Sequence, residues 1–332
     1  MLKKISSAKE CGLYKIEDVK EIDCFIATTP QTREIANNPL VMGVDYTIRL
    51  ENACCEILKN LCSNKLLCIE ENETIIFNIL RGGLNFGLRE ALYRAFGWNR
   101  HGCSFISAQR ARKDDDPQKW HIIENEYAKV YMPERASIVI GDVVATGTSL
   151  EHAVKALVRE AQNQKSQLRS ILFFTFGGKR ALEILKETDK LCRKIFPGYE
   201  KTTLIYHEGC FTVPDENTAL SIKETGTDLV CLDALMAPEF IESKYENPGY
   251  PLQRCAVYDA GSRAFWTHEY IKDVFGYWSE MKKLADKGVS FEKVLKERFP
   301  VLDYKKFKDA DLIEICKKQL CELGRLFNSN LS

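Results

Sequence analysis

In the run Ser137-Ile-Val-Ile-Gly141-Asp142-Val-Val-Ala145-Thr146-Gly147-Thr148-Ser149, an apolar and β-branched strand ends abruptly in an acid. A Thr-Gly-Thr-Ser turn follows, and Leu150 to Val158 then carries the apolar spacing of a helix. N–H groups left over at a helix start, joined by Thr and Ser hydroxyls and a glycine, make a cradle for a phosphate monoester. An acid at the end of the strand can hold sugar hydroxyls or a hydrated magnesium ion beside that phosphate.

A second unit of the same kind lies upstream. Thr74 to Leu80 reads as a buried strand, Arg81-Gly82-Gly83 as its loop, and Leu84 to Phe96 as a helix with Leu84, Leu88, Leu92 and Phe96 on one side. Further strands are expected at 104–110, 127–132, 171–176, 203–207 and 228–233, and a helix at 180–196. Strands and helices alternate, so the predicted fold is α/β, a central and mainly parallel sheet flanked by helices. Residues 1–45 read as a helix-poor lead-in with one short strand at 24–29, packing on a core domain of 46–262 that opens with an amphipathic helix at 46–62. From 263 to 332 the pattern is helical, with stretches at 265–278, 290–299 and 309–327, the last broken by Gly324. That extension is expected to be a packing cover or a dimerisation element.

Lys plus Arg equals Asp plus Glu at 47 each, so bulk charge recruits neither nucleic acid nor an anionic membrane. No apolar run approaches the roughly 20 residues that span a bilayer, and Met1 to Ser7 lacks the apolar core of a signal peptide. The thirteen cysteines contain no Cys-x-x-Cys pair and do not cluster with histidines. They read as reduced, core-filling thiols of a cytoplasmic protein.

The stretch at 137–149 resembles the phosphoribosyl-pyrophosphate (PRPP) signature of the type I phosphoribosyltransferases: an apolar strand, two acids, two apolar residues and a Thr-Gly-x-Thr/Ser loop. Asp142 takes the second acidic place, and Gly141 stands where the first acid would be. In that family the acidic pair grips the ribose 2′- and 3′-hydroxyls. The resemblance implies 5′-phosphate binding by Thr146, Gly147, Thr148 and Ser149, with Ala145 in the same loop. It implies pyrophosphate binding at Arg81, Gly82 and Gly83, where a non-proline cis peptide is expected at Arg81–Gly82. Arg110, Arg112 and Lys113, in the charged connection 110–117, match a loop that closes over pyrophosphate. Tyr258-Asp259-Ala-Gly261-Ser-Arg263-Ala-Phe265 is similar to the Asp-Ala-Gly-x-Arg-x-Phe run of uracil phosphoribosyltransferases, with Asp259 as a ribose or metal ligand and Arg263 beside it.

These residues imply a Mg²⁺-dependent transfer of phosphoribose from PRPP to a nucleobase, a pyrimidine first, giving a nucleoside 5′-monophosphate and pyrophosphate. Asp142, Arg81 and Asp259 would carry the chemistry, and Asp142 and Asp259 the metal. A homodimer is expected, with no nucleic acid or membrane partner. The competing reading is a non-catalytic PRPP or nucleotide sensor on the same fold, favoured by Gly141 and the long tail. An unrelated phosphohydrolase would need an activated nucleophile, and the Thr-Gly-Thr-Ser turn itself contains no histidine.

Overall fold

The computed structural model describes residues 1–8, 11–112, 120–124, 127–254, 257–258 and 266–329. The chain opens with β1 (Leu2–Ala8), β2 (Cys11–Ile16), β3 (Asp23–Thr28), α1 (Pro30–Asn37) and α2 (Gly43–Ser63). Then come β4 (Thr74–Leu80), α3 (Leu88–Phe96), β5 (Gly102–Ser107), β6 (Gln109–Arg112), β7 (Trp120–Glu124) and β8 (Ala128–Lys129). β9 (Arg135–Gly141), α4 (Thr148–Asn163), β10 (Gln167–Gly178), α5 (Lys179–Ile195), β11 (Lys201–Thr212) and β12 (Val230–Met236) complete the sheet region. α6 (Pro238–Ser243), α7 (Thr267–Asp286), α8 (Phe291–Arg298) and α9 (Leu312–Ser329) follow.

β4 and β9 are buried along their whole length except for one terminal residue each. Strands of that composition need cover on both faces, which a parallel sheet between helices supplies. One sheet runs in the order β1-β2-β3-β11-β10-β9-β4-β5-β8, with β12 pairing on β11. From β3 to β5 every neighbour pair is parallel, while β1, β2, β8 and β12 join antiparallel. α1, α2 and α3 pack as one group and α4 and α5 as another. β6 and β7 form a separate antiparallel hairpin that leans on α4.

Several expectations change. The lead-in supplies three strands rather than one, and β3 pairs in parallel with β11 from Thr203↔Asp23 to His207↔Ala27. The helix expected from Leu84 starts at Leu88. Gly87, in the left-handed region at φ 55°, separates it from a 3₁₀ turn at Gly82–Phe86, and Leu84 is half exposed instead of on the buried stripe. The strand expected at 104–110 breaks at Ala108, and that at 127–132 shrinks to Ala128–Lys129. α9 runs through Gly324 without a break. A helical glycine costs only about 1 kcal/mol, and buried Cys316 and Leu323 anchor that helix.

The C-terminal helices are packed onto the sheet domain. α7 packs on α9, Trp278 and Tyr270 are fully buried, and the Tyr270 hydroxyl donates to the Pro39 carbonyl at 2.8 Å. The Tyr258 ring bridges Tyr46 of α2 and Tyr270 of α7, with centroids 5.5 and 5.3 Å away. No helix of the described residues is long and apolar enough to cross a membrane, and no cysteine among them is disulfide-bonded.

Candidate active site

The strand order reverses between β4 and β9. From β4 the chain moves to β5 on one side. It then returns to β9 on the other side and runs on through β10 and β11. The crevice outside the carboxyl ends of two such strands is where an open α/β sheet leaves room for a ligand. Both loops singled out from the sequence sit there: Arg81–Gly83 directly after β4, and 142–147 directly after β9. The first loop abuts the end of β9, because a Cβ placed on Gly83 would lie 3.1 Å from the Gly141 carbonyl oxygen. Arg81 is exposed at this edge. The cis peptide is Leu80–Arg81 and not Arg81–Gly82. Residue types in a strand-end loop do not distinguish one bond from the next.

Backbone hydrogen bonds fix the second loop. The Asp142 and Val144 N–H groups donate to Phe174 and Phe176 carbonyls at 3.1 and 2.9 Å, and the Gly178 N–H donates to Val144 at 3.0 Å. Gly147 is the N-cap of α4 at φ 78°, and a Cβ there would press to 2.5 Å from Ile184 Cδ1. Glycine is therefore required by conformation and by space. No side chain caps α4, so its first-turn N–H groups face the loop without an internal competitor. The Thr146 and Thr148 hydroxyls lie 3.2 Å apart beside them. Ser149 turns its hydroxyl to the Ala108 carbonyl at 2.8 Å, tying the helix start to the β5–β6 junction. Ala145 is buried under the loop. The acid in the first turn, Glu151, is engaged by Lys155 at 2.7 Å and Arg180 at 3.1 Å. The Lys155 hydrogen bond holds its pKa below the usual range, so it stays ionised, and the paired Lys155 and Arg180 charges offset its repulsion of an incoming phosphate.

The place of the missing acid has a steric explanation. A Cβ on Gly141 would fall 2.3 Å from Phe86 Cγ. The Phe86 ring, fully buried, occupies the space that any side chain at 141 would need. Beyond it lies His207 of β11, fully buried and ringed by Phe86, Phe174 and Phe176 at centroid distances of 6.0, 6.1 and 5.0 Å. Neither of its ring nitrogens has a hydrogen-bond partner. Burial pushes its pKa down to about 3, so the imidazole is neutral. The core behind Gly141 is thus aromatic where an acidic pair would be polar.

One residue further on, Glu208 is buried in a bulge of β11 at φ 64°. Its carboxylate accepts from the Thr28 hydroxyl at 2.6 Å, the Thr29 N–H at 3.1 Å and the Thr32 hydroxyl. Burial still raises its pKa to about 7.

The structure thus brings Arg81, Gly82, Gly83, Asp142, Ala145, Thr146, Gly147, Thr148 and Ser149 to one crevice. Arg110 and Arg112 lie on β6, whose hairpin packs against α4. Lys113, Asp259 and Arg263 lie outside the described residues. Asp142 is the one carboxylate of the 141–149 loop, and no group of three potential metal-ligating side chains occurs among the described residues. Phe86 and His207 were not singled out by the sequence. The one available signal was a glycine inside an apolar strand, which marks the close approach of another group.

A scan against protein-family models and a search of curated proteins return no match. Among solved structures, the chain is similar to a hypoxanthine phosphoribosyltransferase from Staphylococcus aureus, at 15% identity over 48% of this chain and 73% of that one, with a TM-score of 0.28. It is similar to a hypoxanthine-guanine phosphoribosyltransferase from Bacillus anthracis, at 19% identity over 38% and 69%, with a TM-score of 0.26. For the hypoxanthine-guanine phosphoribosyltransferase of L. donovani the values are 13% identity, 58% and 95% coverage, and a TM-score of 0.29. At these scores the similarity adds no weight to the site, which rests on the crevice geometry.

Proposed function

We propose that the chain is a phosphoribosyltransferase that binds PRPP across the β4–β9 crevice and transfers its phosphoribosyl group to a nucleobase nitrogen. The observation that carries this reading is that two anion-suited loops, one of them opening with Asp142, follow adjacent parallel strands at the reversal of strand order. The first turn of α4, with the Thr146 and Thr148 hydroxyls, would take the 5′-phosphate. Arg81 and the Gly82–Gly83 backbone would take the pyrophosphate, whose charge grows as the C1–O bond breaks. Arg110 and Arg112 would add positive charge over it from the hairpin, with Lys113 as a third cation. Asp142 would hold a ribose hydroxyl. Magnesium is commonly held by one or two carboxylates together with substrate phosphates. Asp142, with Asp259 as second ligand, suits that arrangement, and the ion would neutralise the leaving group. The C1–O electron pair departs with pyrophosphate, the base nitrogen's pair forms the new bond, and the nitrogen's proton is released.

A pyrimidine acceptor is put first, on the strength of Ala145 and the stretch 258–267. The test is pyrophosphate release from PRPP and Mg²⁺ with a panel of bases that includes uracil, hypoxanthine and guanine. Removing one stabilising donor in such a site typically costs about 3–4 kcal/mol of barrier. Asp142→Ala should therefore lower turnover by about two to three powers of ten, and unchanged turnover would rule out its assigned role.

A specific observation favours a second reading. With Phe86 packed on Gly141, one half of the acidic pair cannot be present. A protein that holds PRPP or a nucleotide without turning it over would then be a sensor, its C-terminal helices available to a partner. Saturable PRPP binding with no pyrophosphate release on any base would select that reading.

A further inference from the structure

β5 and β9 flank β4 in the sheet. Leu80, the last residue of β4, pairs with Ser107, the last residue of β5, so Ala108 comes level with Arg81. α4 begins on the other side, in the turn that follows β9. The Ser149 hydroxyl of its first turn nevertheless donates to the Ala108 carbonyl at 2.8 Å. That bond joins the chain after β9 to the chain after β5, so it spans the carboxyl end of β4, where the Arg81–Gly83 loop starts. Ala108 is buried, and the bond is shielded from competing water on that side.

Ala108 is also where the β6–β7 hairpin leaves the sheet. The chain departs past Ser107 and returns at Tyr127, and these two residues hold each other. The Ser107 N–H donates to the Tyr127 carbonyl at 2.8 Å, and the Tyr127 N–H donates to the Ser107 hydroxyl at 3.2 Å. The hairpin strands then lean on α4. Arg110 and Arg112 follow Ala108 by two and four residues on β6, so the anchor at Ala108 sets where the strand that carries them starts. Ser149 differs here from its neighbours. The Thr146 and Thr148 hydroxyls lie together at the loop, 3.2 Å apart, whereas the Ser149 hydroxyl is engaged on the hairpin's base. Its backbone N–H, at the second position of α4, has no acceptor within the helix and stays with the cradle.

We propose, resting on the PRPP reading of the crevice, that Ser149 is a positioning residue rather than a phosphate ligand through its side chain. Its hydroxyl seats the base of the β6–β7 hairpin across the end of β4, so that the hairpin's cations meet the pyrophosphate held by the Arg81–Gly83 loop. One residue thereby serves both ends of the substrate, its N–H at the 5′-phosphate and its hydroxyl at the pyrophosphate. Two adjacent hydroxyls, Thr148 and Ser149, then have different ligand dependences. Alanine is the best helix former, so Ser149→Ala keeps α4 and removes only the strut.

The test is calorimetric titration of the full chain with ribose 5-phosphate and, separately, with magnesium pyrophosphate. Ser149→Ala should weaken pyrophosphate by about fivefold or more, the scale of one lost hydrogen bond, and leave ribose 5-phosphate within about twofold of the wild type. Ser149→Thr, which keeps the hydroxyl, should restore pyrophosphate binding. Thr148→Val should weaken ribose 5-phosphate, which checks the cradle itself. If Thr148→Val has that effect while Ser149→Ala leaves pyrophosphate unchanged, or weakens both ligands equally, the Ser149 proposal falls and the crevice reading stands. If the wild type binds neither ligand, both fall.

Discussion

At the scale of single residues, Gly141 and Phe86 act as one unit. Overpacking a core usually costs about 1–3 kcal/mol, and the contact at 141 is shorter than side chains tolerate. Gly141→Ala should therefore destabilise the chain by at least about 2 kcal/mol. Phe86→Ala alone should cost about 3–5 kcal/mol through its cavity, but in that background most of the penalty of Gly141→Ala should vanish. Denaturant unfolding of the four variants measures this coupling, and strict additivity would show that the two positions do not compete for space. Glu208 gives a second prediction at this scale. Its native pKa is raised from 4.5 to about 7, so between those values the unfolded chain ionises while the native chain stays protonated. Stability from this group is complete below about pH 4.5, falls as pH rises toward 7 and is level above, a loss on the order of 3 kcal/mol. Glu208→Gln should flatten that part of the stability profile. An unchanged slope in the variant would assign it to another group. Neither Phe86 nor Glu208 was legible in the sequence, because the approach of one element to another is set by the fold and leaves no local periodicity.

At the scale of elements, the legible parts were those whose pattern is local. The β4 strand has its predicted bounds, because an unbroken apolar run flanked by charge and glycine has few alternatives. The turn into α4 was readable for the same reason, since Gly147 and the flanking hydroxyls specify a helix start. The lead-in strands were not readable. β1 and β2 are ordinary mixtures of polar and apolar residues that become strands by pairing, β1 on β2 and β2 on β3, and β3 is itself held by β11, which lies far away in sequence. The start of α3 was misplaced because apolar spacing continues smoothly across Gly87, whose left-handed conformation ends the 3₁₀ turn. The C-terminal helices were legible as helices, and their stripe marks what holds them: Trp278 is fully buried. Trp278→Ala should lower the unfolding free energy by about 3–5 kcal/mol. A loss below about 1 kcal/mol in chemical denaturation would mean that these helices are not part of the main cooperative unit.

At the scale of the whole molecule, one architectural fact matters most: the strand-order reversal places the Arg81–Gly83 loop, after β4, and the Asp142–Ser149 stretch, after β9, at the ends of two adjacent parallel strands. An extended substrate with a phosphate group at each end of a sugar matches that spacing of chemistries, whereas a ligand with one phosphate would use one loop only. Two-ended binding therefore has a signature. Variants at either loop, Arg81→Ala or Thr148→Val, should each weaken a diphosphorylated sugar, while ribose 5-phosphate should respond to Thr148→Val alone. The most direct measurement is a calorimetric titration of the full chain with PRPP and Mg²⁺, paired with the same titration of ribose 5-phosphate, across the wild type and these two variants. The account predicts saturable PRPP binding that both substitutions weaken by tenfold or more, and ribose 5-phosphate binding that only Thr148→Val weakens. PRPP binding that is absent in the wild type, or indifferent to both substitutions, would contradict it.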